Sequence, residues 1–527
     1  MKNHYIFLIL LFSLLTFGYA QQAGTLDTSF GVDGTVTTSI DNGSDGNYGG
    51  DEIYAISLQS DGKIIVAGGA GTSSWYLQRI VARYNSDGSL DTSFGSGGSV
   101  LHGDEGTGNV FLASVVQPDD KIVAVGRYKD KFTVSRYLID GSLDSNFGVG
   151  GIVNTDVVEH NEDNAFAVTL QSDGKIIVGG NTYDNSQVPH SMNFALVRYH
   201  YDGTLDTSFG ANGKVVTDFY GQQDGIHALA IQPDGRILAA GFGVKENEGR
   251  NFTIARYTTN GSLDTSFGTG GKVDTDLISD GWGTPQSGEE EIHSIFVLND
   301  GKILVGGSTN SERQQLALAK YHTDGSLDSS FGDNGIVKTE TLTKTAIALQ
   351  DDGKIVATGF TSKPGHGNGF GVARFNSDGS LDTGFGDNGE TGTSIGDRRD
   401  HIYALAIQPD GKIIVAGGAT NMGKRGAVTS FAVARYHGGE SLGINDVTDT
   451  TWLRVFPNPS TGRFSVETDR LVSNVSITNM LGQEVEHLQF SSEKKNFTMD
   501  LSQERKGLYL LTLKGAKGTE TKKIVLH

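Results

Sequence analysis

The chain reads as an all-β protein: a seven-bladed β-propeller closed by an N-terminal strand, followed by a small Ig-like β-sandwich. Three observations predict this. An octapeptide recurs at a near-constant period, every period holds an Asp-Gly turn between two apolar runs, and the two ends of the repeat array complement each other. The segment Gly-Ser-Leu-Asp-Thr-Ser-Phe-Gly, or a near copy, places its Asp at Asp27, Asp91, Asp144, Asp206, Asp264, Asp328 and Asp382. The intervals are 64, 53, 62, 58, 64 and 54 residues. A period of roughly this size denotes a repeated supersecondary unit.

Each unit contains four strand signals. The turns fall at Asp61, Asp119, Asp173, Asp234, Asp300, Asp352 and Asp410, with Asp120 replacing the usual Gly in the second unit. An apolar run such as Ala404–Gln408 precedes the turn and a β-branched run such as Lys412–Gly418 follows it, which makes a hairpin. A third strand ends in Ala-Arg-Tyr or a variant, the octapeptide follows, and a short fourth strand such as Gly213–Thr217 closes the unit. No helical periodicity is present, and four-stranded units repeated around an axis form a propeller. A solenoid is the alternative, with rungs that are usually shorter.

Seven residues before each turn Asp stand Tyr54, Leu112, Phe166, His227, His293, Thr345 and Tyr403, each followed by Ala or Ser. This alternation predicts one bulky and one nearly bare face, suited to blade stacking. The last unit lacks a fourth strand, while the first octapeptide has no hairpin before it and is followed by Gly34–Thr38. That orphan strand is expected to complete the last blade and leave no open edge.

Composition narrows the function classes. Cysteine is absent, so disulfides and thiolate metal sites are excluded. The net charge is −20, yet the segment from Leu453 onward is slightly basic, so the body is strongly acidic. An acidic body argues against nucleic acid, whose binding is driven by Lys and Arg on phosphates. Lys2, the apolar stretch Ile6–Phe17 and Gly18-Tyr19-Ala20 before Gln21 read as a signal peptide over residues 1–20. Its apolar run is shorter than the ~20 residues of a spanning helix, and no integral membrane segment is expected in the mature chain.

Strand alternation puts the Asp-Gly turns and octapeptides on one face of the propeller, nearly identical in all blades. The opposite face carries loops that differ strongly, including residues 40–52, 181–193, 241–251, 276–291 and 361–369. Function is expected there, because a rigid scaffold commonly presents it on loops. Aromatic candidates are Tyr48, Trp75, Tyr76, Tyr183, Tyr220 and Trp282, able to stack on sugar rings or anchor a protein. His227 and His293 share one position in adjacent blades; two imidazoles could bind a metal or move protons, and packing of an aromatic-sized residue explains the position equally. The ligand-binding candidates are therefore Trp75, Tyr183, Trp282, His227 and His293. Asp87-Gly-Ser-Leu-Asp91 begins like a calcium loop, but Thr92 stands where Gly is needed and Gly98 where a bidentate Glu is needed. A capped turn with Leu90 and Phe94 tucked beneath fits better, with the third-strand Arg83, Arg136, Arg198, Arg256, Arg374 and Arg435, and Lys320 in one blade, as ion-pair partners. No nucleophile–base pair, phosphate loop or zinc-binding His-Glu-x-x-His appears; no catalytic residue, metal or cofactor is expected.

The propeller is expected over 21–437, a polar linker over 438–452, and a second domain of short strands over 453–527. Phe456-Pro457-Asn458-Pro459-Ser-Thr-Gly462, Asn479-Met-Leu-Gly482-Gln-Glu484, Gly507-Leu-Tyr509 and Lys522-Lys523-Ile-Val-Leu526 resemble the C-terminal sorting domain of type IX secretion substrates. The resemblance implies a bacterium of the Bacteroidota, Sec export, handover to the type IX machinery, and release or attachment at the outer surface. Residues 24–436 resemble the delta-60 repeat family, which supplies no established activity. The function expected is a binding or adhesion module for a surface glycan or protein. A polysaccharide hydrolase or lyase, or a structural matrix component, are the alternatives.

Overall fold

The computed structural model describes residues 22–40, 50–73, 76–106, 109–159, 162–184, 191–246, 249–277, 288–310, 314–339, 342–361, 369–423, 426–439, 453–456, 462–479, 484–502, 504, 507–515 and 518–526. The signal peptide, residues 440–452 of the linker, Tyr48, Trp75, Trp282, Pro457, Asn458, Pro459 and Gly482 lie outside them. The chain forms two compact units, the first ending at Gly439.

In the first unit seven antiparallel four-stranded sheets follow in chain order. Blade 4, for example, comprises Asp224–Ile231, Ile237–Lys245, Gly249–Tyr257 and Lys272–Thr275, with a short parallel addition at Gly288–Glu289. The first strands of the blades are Glu52–Leu58, Phe111–Val116, Asp163–Leu170, Asp224–Ile231, Glu291–Val297, Leu342–Leu349 and His401–Ile407. Each packs against the first strands of its two neighbours, and the seventh against the first, so they line the axis of a closed ring.

The N-terminal strand Thr35–Thr38 completes blade 7, as the orphan repeat predicts. It pairs antiparallel with Gly426–Tyr436, Thr35 opposite Ala434 and Thr38 opposite Phe431. The backbone continues the seam: Asp27 N donates to Arg435 O at 2.8 Å and His437 N to Thr25 O at 2.9 Å. Pairing removes the unpaired edge that an open ring would expose.

The octapeptide is a latch between blades. Its Asp is buried in six of the seven copies and accepts from the third-strand Arg of its own blade: Arg83–Asp91 at 2.8 Å, Arg136–Asp144 at 2.9 Å, Arg198–Asp206 at 2.8 Å, and Arg435–Asp27 at 2.8 Å across the seam. The guanidinium lies over the octapeptide Phe, 4.5 Å for Arg198 on Phe209, and donates onward to a carbonyl of the next blade, Thr259 O at 2.5 Å. The octapeptide Gly adds a backbone bond to the same neighbour, as in Gly210 N to Asn260 O at 2.8 Å. The other carboxylate oxygen caps its own turn, Asp206 Oδ1 accepting from Ser208 N and Oγ. This is the capped turn expected from sequence, and it occupies the oxygens a calcium ion would need. Burial alone would raise the Asp206 carboxyl, but the Ser208 hydrogen bonds and the Arg198 charge hold it down at about 2.

Blade 5 departs from the pattern. Lys320 was expected to pair with Asp328; Lys302 does so instead, at 2.9 Å, and Lys320 reaches Ser377 O at 3.4 Å. The reason is a coupled change. In five of the other blades the guanidinium also meets a Gln two residues before the turn Asp, as Arg374 meets Gln350 Oε1 at 3.4 Å; blade 5 has Leu298 there. A cavity of about 240 Å³ lined by Leu298, Lys320 and Phe331 remains where the larger pair would sit.

A second set of bonds ties blades together nearer the other face. In five blades the Tyr ending the third strand bonds the Thr ending the fourth strand of the preceding blade: Tyr84 to Thr38 at 2.9 Å, Tyr199 to Thr155 at 2.7 Å, Tyr257 to Thr217 at 2.8 Å, Tyr321 to Thr275 at 2.9 Å, Tyr436 to Thr393 at 2.7 Å. Between these two polar belts the interface is aliphatic and fully buried, as with Ile177, Leu196, Ile226 and Ala239 between blades 3 and 4.

In the second unit the strands are Leu453–Phe456, Arg463–Asn479, Glu484–Asp500, Gly507–Gly515 and Gly518–Leu526. Short strands were expected; two of these five are instead 17 residues long, and in one of them the polar stretch Glu484–Phe490 carries no strand pattern that would signal the extension. The first half of Arg463–Asn479 pairs with Leu453–Phe456, and its second half with Gly507–Gly515. Its register with Glu484–Asp500 breaks between Glu467 and Asn474, so one sheet turns over on itself around Phe464, Val466, Val475, Ile477, Leu511 and Ile524. Gly462 takes φ +116°, and a Cβ there would lie 2.5 Å from Ser502 Cα. Tyr509 is buried opposite Ile524, while Gly507, Lys522 and Lys523 lie on the terminal hairpin opposite Leu526, Leu511 and Leu510.

Replacing Arg198 with Met leaves Asp206 buried beside a weaker cation and is expected to cost about 3–5 kcal/mol in urea unfolding; an unchanged midpoint refutes the latch. The double variant L298Q/K320R rebuilds the standard latch in blade 5. It should exceed the sum of its single variants by about 1 kcal/mol, measured as a double-mutant cycle.

Candidate functional site

The inner surface of the ring is set by one backbone irregularity repeated in every blade. The register of first with second strand shifts between Ile53 and Ala55, Phe111 and Ala113, Ala165 and Ala167, Ile226 and Ala228, Ile292 and Ser294, Thr343 and Ala346, and Ile402 and Ala404. The residue bulged out in six blades is therefore Tyr54, Leu112, Phe166, His227, His293 or Tyr403. A bulge re-aims its side chain out of the sheet pattern. It also brings the backbone so close that the facing strand needs Gly: a Cβ on Gly241 or Gly307 would lie 1.8 or 1.9 Å from a carbonyl oxygen across the pair. This corrects the expectation that the bulky residues form a stacking face. They are partly exposed and meet one another around the axis, Tyr54 with Tyr403 at 5.0 Å, Phe166 with His227 at 5.2 Å, and His227 with His293 at 5.5 Å between ring centroids.

Two polar clusters break this ring. In blades 7 and 1, Tyr54 donates to Glu52 Oε2 at 2.6 Å and His401 Nδ1 lies 3.0 Å from the Tyr403 hydroxyl. Burial, reinforced by the Glu52 charge, pushes both tyrosine hydroxyls up. In blades 4 and 5, the His227 and His293 rings are nearly parallel, at 6°. Glu291, two residues before His293 and on the same strand face, places Oε2 3.9 Å from His227 Nδ1 and pairs through Oε1 with Arg250. The Arg250 guanidinium lies 4.3 Å over Phe242, and Ser308 Oγ stands 3.3 Å from His293 Nε2. Burial, with the charges of His293 and Arg250, drives the His227 imidazole down to about 3, so the ring is neutral near pH 7. The His pair was visible in sequence; Glu291 and Arg250 were not singled out. Among the described residues, His227, Glu291 and His293 are the group whose ligand atoms converge, all within 4.8 Å.

Sequence reading also passed over a ring of buried acids at the variable-face rim: Asp51, Asp163, Asp224, Glu290 and Asp400, each 0–1% exposed. Their common position, ten residues before the turn Asp, was the available signal; the abundance of acids in these loops hid it. Each accepts from the backbone N–H two residues beyond a fourth strand of the preceding blade: Ile40 to Asp51 at 2.9 Å, Val157 to Asp163 at 2.6 Å, Phe219 to Asp224 at 2.7 Å, Leu277 to Glu290 at 3.0 Å, Ile395 to Asp400 at 2.7 Å. In four of them burial outweighs these bonds and pushes the carboxyl up, to about 6 for Asp163, about 7 for Asp224 and about 8 for Glu290, with Asp400 also raised. They are loop staples.

Of the aromatic candidates, Tyr183 is half-buried at the end of the second strand of blade 3, and Tyr220 is exposed. Tyr220 meets Phe219, with ring centroids 6.1 Å apart. Lys121, Lys175, Arg236, Lys302, Lys354 and Lys412, just after the turns, reach octapeptide carboxylates at 2.8–3.6 Å, which places turns and octapeptides on one face.

Residues 59–94, 117–147, 171–209, 232–267, 298–331, 350–385 and 408–442 match the family described as a domain of unknown function (DUF5122) beta-propeller. Residues 454–527 match the secretion system C-terminal sorting domain. The seven blades carry the DUF5122 propeller repeat. The sorting tail marks the propeller for type IX export, to the cell surface or beyond. No curated protein matches this chain. Among solved structures it is similar to PorZ, described as an essential surface component of the type IX secretion system of Porphyromonas gingivalis, at 12% identity over 93% of this chain, TM-score 0.32. It spans 61% of the length of that PorZ chain. A streptogramin B lyase gives 11% identity over 76% of this chain and 97% of the lyase, TM-score 0.38. An ulvan lyase of polysaccharide lyase family PL25 gives 13% over 77% and 96%, TM-score 0.41. At these scores the likenesses carry no argument about activity. No helix among the described residues is long and apolar enough to cross a membrane.

The two sets of carboxyls predict a stability maximum. The rim acids are raised above the ~4 of an unfolded chain. Their contribution is complete below that value and is lost as pH climbs through about 6 to 8. The octapeptide acids are lowered, so their contribution is present above ~4 and lost as pH falls toward about 2. Calorimetry should place the highest melting temperature between these limits, near pH 5, and D224N should flatten the decline above pH 6. A melting temperature that rises steadily from pH 5 to 8 refutes the assignment.

Proposed function

We propose that the exported propeller is a binding or adhesion module that takes a surface glycan or protein on its variable loop face. One observation supports this most: on the turn face the recurring charged groups are spent internally, Asp on Arg, Lys on Asp and Arg on the next blade's carbonyl. Chemical difference between blades is left to the other face and the inner ring. In this reading Tyr183, with Trp75 and Trp282, provides stacking planes for sugar rings or anchors for a protein. The signal peptide over 1–20 delivers the chain to the periplasm of a bacterium of the Bacteroidota, and 453–527 engages the type IX machinery.

A glycoside hydrolase commonly uses two carboxyls roughly 5–10 Å apart. The inner-ring carboxylates Glu52 and Glu291 belong to separate clusters on blades 1 and 5, each engaged by a Tyr or an Arg, which favours binding over hydrolysis. A glycan array probed with the mature chain should give one glycan class. Tyr183→Ala should weaken it about tenfold, as expected for loss of a central aromatic contact. An array with no binding removes the glycan half of the proposal.

A further inference from the structure

We propose that His227, Glu291 and His293 bind one divalent transition-metal ion, with zinc the best match to their donors. The site is built by the bulge that recurs through the propeller. Adjacent inner strands each expel one residue at equivalent positions, and in blades 4 and 5 that residue is histidine, bringing two imidazoles to 5.5 Å. Glu291 joins them because it stands two residues before His293, where side chains of a strand share a face, while Ile292 between them is fully buried on the other.

The distances suit a metal after small torsional changes. The three ligand atoms lie within 4.8 Å of one another. Zinc bonds of about 2.0–2.2 Å in a tetrahedron put ligand atoms about 3.4 Å apart. His227 Nδ1 is buried, has no hydrogen-bond partner, and lies 3.9 Å from Glu291 Oε2. A buried ring nitrogen without a partner is costly, and a metal ion is one group that satisfies it. Ser308 Oγ, 3.3 Å from His293 Nε2, is placed to orient that ring, as partners of ligating histidines commonly are. Two nitrogens and one carboxylate select zinc or a similar ion over calcium or magnesium, which prefer all-oxygen sets. Three protein ligands leave a fourth position for water or for an oxygen of a bound molecule.

Arg250 is the competing cation. It holds Glu291 Oε1, and its guanidinium is also supported by the Phe242 ring. Metal binding takes the carboxylate from Arg250 and leaves the guanidinium on Phe242. Arg250 therefore sets the affinity.

The site does not depend on the ligand of the loop face, and its assay contains no glycan. The untagged mature chain, stripped with chelator and loaded with zinc, should retain about one zinc per chain through gel filtration, read by mass spectrometry. Cobalt loading should give the intense visible bands of a four-coordinate site. H227Q and H293Q should each abolish retention while keeping the circular dichroism of the parent. R250Q should tighten zinc about tenfold or more by removing the neighbouring charge. Absence of stoichiometric zinc in the parent, retention by both histidine variants, or weaker zinc in R250Q overturns the proposal. If the histidine variants do not fold, E291Q and R250Q decide it, since they must shift affinity in opposite directions.

Discussion

The buried Arg–Asp–Phe latch is the interaction on which the ring depends. A propeller without disulfides must hold seven sheets edge-on to one axis, and here the same three residue types do this at six of the seven junctions. The ion pair is buried, where removal of one partner leaves an uncompensated charge. The onward bond of the guanidinium to the next blade's carbonyl converts an intrablade pair into an interblade one. At the seam the latch joins Arg435 to Asp27, residues 408 apart in the chain, so closure uses the same chemistry as propagation.

The latch also explains the division between the two faces. It commits the turn face to structure, because every oxygen of the octapeptide carboxylate has a protein donor. At the rim of the other face each buried acid holds one backbone N–H of the preceding blade, which fixes where a loop begins without fixing its length or composition. Loops of different length can then be carried by identical blades. Between the faces, the repeated bulge sends one side chain per blade toward the axis in six of the seven blades. Identity at that position is free to differ, and the blades use that freedom: aliphatic and aromatic groups on one arc, two separate polar clusters on the others.

How legible each part was follows from how local its cause is. The blade count, the strand order and the closing strand were read from period, turns and the complementary ends, because hairpins and octapeptides act within one repeat. The cap of the octapeptide Asp was legible for the same reason. Lys320 misled, because its partner depends on Leu298, and that pairing is made across strands. In the second unit the polar strand Glu484–Phe490 escaped notice, since alternation cannot mark a strand whose side chains are mostly polar.

By itself the sequence determined the repeat, its seven copies, the closure and the sorting tail, all of which rest on short-range patterns or motifs. Tertiary structure alone decided the site. The bulge is a register shift between two strands, invisible until both are paired, and it moved the bulky residues from a stacking face to the axis. Ring closure then set His227 beside His293 across a blade boundary, 66 residues apart in the chain, and brought Arg250 to Glu291. Contacts between blades carry no local signature, because the neighbouring surface is supplied by another copy of the repeat.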